Sequence, residues 1–116
     1  MSPDLSLYTI PHTATLRDAM ERITANKHRV VIVVDDENRV VGTVSDGDLR
    51  RAFLHDALPI APVTRIMQLN PHVTTETDAA RRHEIIKAEQ VTVLPVVSED
   101  NRLLDIELAY EPGFDA

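Results

Sequence analysis

The sequence predicts a compact α+β domain built from two βαββα-like halves that face each other across a pseudo-twofold axis. Three observations carry that reading. Residues 10–45, moved along the chain by 63 positions, fall on residues 73–108 without a gap. Ile23 lands on Ile86, Ala25 on Ala88, Val30 on Val93, Val33-Val34 on Val96-Val97 and Asn38-Arg39 on Asn101-Arg102. A unit seen only twice is too few for a solenoid, whose stacking needs about three or more repeats. At 116 residues the chain gives each half roughly 50, too few to bury a stable core alone, so the halves must share one.

The elements follow in order. Thr15 stands at the cap of a helix, with Asp18 placed as its reciprocal partner in a capping box. Leu16, Ala19, Met20 and Ile23 then recur at the i, i+3, i+4, i+7 spacing of a buried helical stripe. In the second copy Asp78 takes the cap position, and Ala79, Ile85 and Ile86 are apolar. Arg82 and His83 stand where Ala19 and Met20 were, which puts part of that stripe at a wetter interface.

Val30–Val34 and residues 91–97 are β-branched and almost continuously apolar, as in strands buried on both faces beneath helices. Residues 35–38 and 98–101 have the composition of hairpin turns, and Val40–Ser45 and residues 103–107 return as strands. Leu49, Ala52 and Phe53 mark a short second helix; Pro112-Gly113 interrupts its equivalent in the second copy. Residues 55–63, with Pro59 and Pro62, form a short connector, and residues 63–69 make a helical turn ahead of Asn70-Pro71. The two repeats are expected to span residues 7–56 and 63–111.

Composition removes several classes of function. No run approaches the roughly 18 apolar residues of a membrane span. The N-terminus lacks a basic, then apolar, signal pattern, and there is no cysteine, so cytoplasmic residence is expected. A net charge of −7 and an aromatic content of 3% argue against nucleic acid as a partner. The histidines at 12, 28, 55, 72 and 83 include no i, i+4 pair, so no metal site is expected. Neither a G-x-S-x-G elbow nor a G-x-x-x-x-G-K-[ST] loop is present, and no catalytic residue is assigned. Lys27-His28-Arg29 reads as a solvated helix end, and Met20 and Met67 as core packing.

One constellation could hold a ligand. Gly42-Thr43-Val44-Ser45-Asp46-Gly47-Asp48 lies where a strand gives way to a helix. Gly42 permits close backbone approach, Ser45 offers a hydroxyl, Gly47 allows a tight turn and Asp48 enters the first helical turn. A carboxylate suits the vicinal hydroxyls of a ribose, and free amides at a helix start favour a phosphate. Arg50 and Arg51 follow directly and add positive charge.

With Gly42, Thr43-Val44, Ser45, Asp46-Gly47 and Asp48 in this order, the chain resembles a tandem CBS-domain pair, or Bateman module. The resemblance runs from about residue 7 to 110 and includes Val63-Thr64-Arg65-Ile66-Met67 ahead of Asn70-Pro71, a frequent opening of the second repeat. It implies an adenine nucleotide in the cleft between repeats, as a regulatory ligand and not as a cofactor. It further implies that Ser45 and Asp48 hold the ribose and phosphate region and that Ile10, Pro11, Val30 and Val31 line the base pocket; Arg50 is a candidate phosphate contact from its position alone.

The run Gly42 to Leu54 is similar to CBS pairs attached to sugar-phosphate nucleotidyltransferases and arabinose-5-phosphate isomerases; residues 94–108 tilt towards the nucleotidyltransferases. The second copy departs from the motif, with Asp105, Leu108 and Glu111 in place of Gly42, Ser45 and Asp48, so one nucleotide per chain is expected. The leading expectation is therefore a regulatory module that binds one adenine nucleotide and controls an attached or partner sugar-phosphate enzyme. A homodimer is expected too, through apolar helix surface at Leu16, Ile23, Ile85 and Ile86. The rival is a structural dimerisation module with no ligand. A small hydrolase is a third reading with no motif behind it.

Overall fold

The structure is a computed structural model that describes residues 4–110. Its elements are β1 (Thr9–Pro11), α1 (Leu16–Asn26), β2 (Val30–Val34), β3 (Val40–Ser45), α2 (Asp46–Leu54), α3 (Ala79–Glu89), β4 (Val93–Val97) and β5 (Leu103–Leu108). The capping box at α1 forms in both directions: the Thr15 hydroxyl accepts the Asp18 N–H at 3.2 Å, and the Asp18 carboxylate accepts the Thr15 N–H at 2.9 Å. Leu16, Ala19, Ile23 and Asn26 form the buried stripe. Met20, expected in it, is 39% exposed: the contact face is narrow and turns Met20 off its edge.

Strand β2 is the centre of a three-stranded sheet, parallel to β1 and antiparallel to β3. Val31 and Val33 pack with Leu16, Ile23 and Leu49, whereas Ile32, on the opposite face, joins Tyr8, Leu103, Ile106 and Leu108 in a second cluster between the halves. Burial on both faces explains the unbroken apolar run. The β4–β5 hairpin repeats the β2–β3 pairing down to its irregularity, with register shifts at Val33/Val34 and again at Val96/Val97.

The halves are not equal. β1 has no strand counterpart; only an isolated parallel bridge joins Thr74 to Val96. Prolines are the reason. The Ile32 N–H donates to the Tyr8 carbonyl at 2.7 Å, zipping β1 to β2. The counterparts of Ile32 and Tyr8 are Pro95 and Pro71, and a proline at the first position has no N–H to give. The expected pair of matching sheets is therefore one of three strands and one of two. β4 also begins at Val93, because the Val91 N–H is taken by the Ile86 carbonyl at the end of α3.

Helix α3 buries only Ile86. Arg82, in the place of Ala19, reaches instead to Asp105 at 3.8 Å and Glu107 at 3.7 Å, as a wetter face requires. Of the residues expected to leave apolar surface on the helices, Leu16, Ile23 and Ile86 are buried inside the chain and Ile85 is half-buried. Exposed apolar side chains lie instead at the end of α2 and in the connector: Leu54 is 75% exposed, Leu58 63% and Ile60 77%. The expected turn in residues 63–69 is a short 3-10 turn at Val63–Arg65. The Pro112-Gly113 interruption lies outside the described residues. Among those residues no helix is long and apolar enough to cross a membrane.

Candidate functional site

Ser45 caps α2, and the local geometry follows from its spacing to Asp48. The Ser45 hydroxyl accepts the Asp48 N–H at 3.1 Å, and Asp48 Oδ2 accepts the Ser45 N–H at 2.8 Å. Asp48 Oδ1 accepts from Arg51 Nη2 at 2.7 Å and from Gln68 Nε2 at 3.0 Å. Burial by itself pushes the Asp48 carboxyl up. The Ser45 backbone, the Gln68 amide, the Ser45 hydroxyl and Arg51 outweigh it and hold the group below its ordinary value of 3.8.

Gly42 brings the second wall of the site close. A β-carbon there would lie 2.9 Å from the Gln68 carbonyl oxygen and 2.9 Å from Met67 Sδ. The Gln68 segment can thus lie along β3, donating to the Thr43 carbonyl at 2.8 Å and accepting the Thr43 N–H at 3.2 Å. Gly47 falls inside the first turn of α2 and not in a turn of its own; its missing side chain leaves room for Arg51, 3.4 Å from where a β-carbon would stand.

Between these walls is a cavity of about 420 Å³, within the range of small-molecule sites. Arg29, Val30, Thr43 and Ser45 line it from the first half, and Pro71, His72, Thr92 and Pro95 from the second. Among the described residues no carboxylate lines it, although the chain carries a net charge of −7. Arg29 makes no ion pair among the described residues. His72 lies 3.4 Å from Glu89. The arrangement is suited to a flat, anionic molecule.

The structure gathers some of the expected site residues and separates others. Ser45 and Val30 line the cavity. Asp48 is one layer behind, its side chain 5% exposed and both oxygens engaged. Val31 is wholly buried in the core. Arg50 turns outward to Asp46 at 2.9 Å, and Arg51 makes the contact with Asp48. Ile10 and Pro11 line a separate hollow with Asp18, Glu21 and Arg22, because β1 pairs on the far side of β2 from β3.

Of Lys27-His28-Arg29, expected to be a solvated helix end, Lys27 and Arg29 are exposed but His28 is not. His28 is fully buried, and Arg29, with φ of 69°, turns into the cleft. Sequence reading passes over Arg29, Gln68, His72 and Thr92. The one signal near them is Asn70-Pro71, where the chain enters the second repeat.

Residues 1–55 match the CBS domain family. An uncharacterised protein of Rickettsia prowazekii is 36% identical over 87 residues, covering 72% of this chain and 27% of that protein. The arabinose 5-phosphate isomerase GutQ of Escherichia coli O6:H1 is 28% identical over 117 residues, covering 97% of this chain and 36% of the isomerase. The chain thus spans at most about a third of the length of these relatives. Among solved structures, CBSX2 in complex with AMP shares 25% identity with a TM-score of 0.72, covering 93% of this chain and 85% of that one. The motif at Gly42–Asp48, the repeated hairpins and these likenesses agree: residues 1–55 belong to the CBS domain family, and the chain has the fold of a CBS pair.

Proposed function

We propose that this chain is a regulatory module that binds one adenine nucleotide in the cleft at Ser45, leaves it chemically unchanged, and controls a sugar-phosphate enzyme in the cytoplasm. The observation that carries this reading is an open cavity lined, among the described residues, by Arg29 and by no carboxylate, in an otherwise acidic chain. AMP bound to CBSX2, which has the same fold, supports adenine nucleotide as the ligand class. In this reading residues 7–56 and 63–111 are the two repeats. The Ser45 hydroxyl and Gln68 meet the sugar, Arg29 meets the phosphate, and Asp48 acts from behind by fixing Gln68 and the first turn of α2.

The likeness to GutQ supports an isomerase of sugar phosphates as the controlled enzyme more than a nucleotidyltransferase. The isomerase's activity is not carried by this chain, which corresponds to 36% of it. Calorimetric titration with AMP, ADP, ATP and adenosine tests the reading. Saturable binding of a phosphorylated nucleotide at one per chain is the expected result. Absence of heat with every nucleotide, with the protein folded, would overturn it.

The rival reading, a dimerisation module with no ligand, is favoured by the exposed Leu54, Leu58 and Ile60. Dimerisation itself is compatible with nucleotide binding, since a twofold dimer is the commonest closed assembly and would give the ligand a second interface to act on. Sedimentation at tens of micromolar, with and without AMP, decides the assembly. A mass of 13.0 kDa in both conditions excludes the dimer.

A further inference from the structure

In the other half, the place that corresponds to the open cleft is full. Tyr8, 1% exposed, stands where Pro71 stands beside the cleft, and His28, 0% exposed, stands where Val91 does. The His28 ring stacks on Tyr110 with centroids 4.3 Å apart and planes 12° from parallel, and it meets Tyr8 edge-on at 5.3 Å. Its Nε2 lies 2.9 Å from the Tyr110 carbonyl and its Nδ1 2.8 Å from the Asn26 carbonyl. Asn26, the counterpart of Glu89, donates through Nδ2 to the carbonyls of Leu7 at 3.0 Å and Val30 at 3.1 Å, and accepts the His28 N–H at 2.7 Å.

We propose that the chain fills its second cleft with a surrogate ligand made from its own side chains, so that this half is held closed whatever the nucleotide and only the open cleft responds. The parts are those a base would bring: a flat heteroaromatic ring under an aromatic one, and a planar amide whose N–H₂ spans two main-chain carbonyls. The neighbouring substitutions fit the filling. Leu108, which replaces Ser45, is buried in one cluster with Tyr8, so the lost hydroxyl is exchanged for packing against the plug. Pro71 and Pro95 do the reverse on the other side, where they prevent the strand pairing that seats Tyr8 and leave a cavity. The clefts share a wall: Thr92 lines the open one and donates its hydroxyl to the His28 carbonyl at 2.6 Å.

The proposal concerns the filled half and rests on the nucleotide reading only for the probe, AMP. Hydrogen exchange of the whole chain, read at His28 against its counterpart Val91, which lines the open cleft, tests it. Each amide has one hydrogen bond, to Asn26 Oδ1 and to the Ile86 carbonyl, and the filling of the cleft beside them differs. Without nucleotide, His28 should exchange about tenfold or more slowly than Val91. AMP should slow Val91 but leave His28 within about twofold of its free rate.

Equal rates at the two amides in the free protein, or equal protection of both by AMP, would overturn the surrogate. Tyr8→Phe, which keeps the ring and loses only the 3.1 Å contact with His28, should retain the slow exchange, and Tyr8→Ala should lose it. Wild-type protection in a folded Tyr8→Ala would also overturn the proposal. Should AMP fail to bind at all, the nucleotide reading falls while the ligand-free comparison still decides the surrogate.

Discussion

Asn38 and Asn101, equivalent residues of the two repeats, bind each other's half through the same pair of hydrogen bonds. Asn38 Nδ2 donates to the Leu103 carbonyl at 3.1 Å, and Asn101 Nδ2 to the Val40 carbonyl at 2.6 Å. Their backbones repeat the exchange, since the Val40 N–H donates to the Asn101 carbonyl at 3.0 Å and the Leu103 N–H to the Asn38 carbonyl at 2.9 Å. Val40 and Leu103 are themselves counterparts, so the four bonds are two bonds and their images under a twofold. Both asparagines are left-handed, with φ of 63° and 69°. A short polar side chain tolerates that conformation where a β-branched one would not.

Replacing Asn101 tests this joint. Asn101→Ala loses the amide bond and keeps a side chain in a left-handed turn, and should cost about 1–3 kcal/mol in urea unfolding. Asn101→Gly loses the bond but relieves the backbone, and should cost less. Equal costs for the two variants would assign the whole effect to the amide.

Gly42→Ala sets a β-carbon against the Gln68 carbonyl, a main-chain atom that cannot rotate away as Met67 can. The variant should lose about 1–3 kcal/mol of stability, the usual range for overpacking. It should also bind nucleotide more weakly, because the displaced segment is the second wall of the cleft. Thermal melts and titration read the two effects separately. A variant as stable as the parent would mean that the segment slides along β3 without loss.

The depressed Asp48 carboxyl makes a prediction about acid. A group whose folded value lies below its unfolded one stabilises the fold above the unfolded value, and that stability is lost as pH falls through the folded one. The Asp48 contribution should therefore be complete above about pH 4 and vanish in more acid solution. Asp48→Asn should be less stable than the parent near neutrality, with the gap closing as pH falls below 4. Denaturant midpoints at several pH values between neutrality and 3 check this. A gap independent of pH would show that Asp48 acts through packing alone.

Arg29→Gln addresses ligand charge. The variant should weaken AMP by about 1.5–3 kcal/mol, the range for hydrogen bonds to charged groups, and leave adenosine unchanged. Raising salt should weaken AMP for the parent more than for the variant, through screening of the lost pair. Equal loss for AMP and adenosine would place Arg29 at the base or in the scaffold, and not at the phosphate.

Much of the fold was legible because it depends on local rules. Thr15 with Asp18, and Ser45 with Asp48, cap helices through contacts three residues apart. The valine runs need only apolar cover on both faces, and Asn38 and Asn101 announce their own turns. Those features are written within a few residues, and the repeat doubles the signal. Single residues facing the cleft were not legible in this way. A motif places Asp48 at the start of a helix but does not say that Gln68 and Arg51 will take both its oxygens.

The sequence by itself determined the two-half architecture, the capped helices, the paired hairpins and the place of the Ser45 junction, because periodicity and capping act at short range. The motif lost at Asp105, Leu108 and Glu111 already favoured the cleft at Ser45, and only the tertiary structure decided what leaves that cleft open and fills the other. That outcome depends on residues far apart in the chain: Pro71 against Pro95 on one side, Tyr8 with His28, Tyr110 and Leu108 on the other. Each is unremarkable alone, since a proline, a tyrosine or a leucine has many uses. Their meaning arises when the sheets bring them together, where a missing N–H leaves a gap and an aromatic ring fills one.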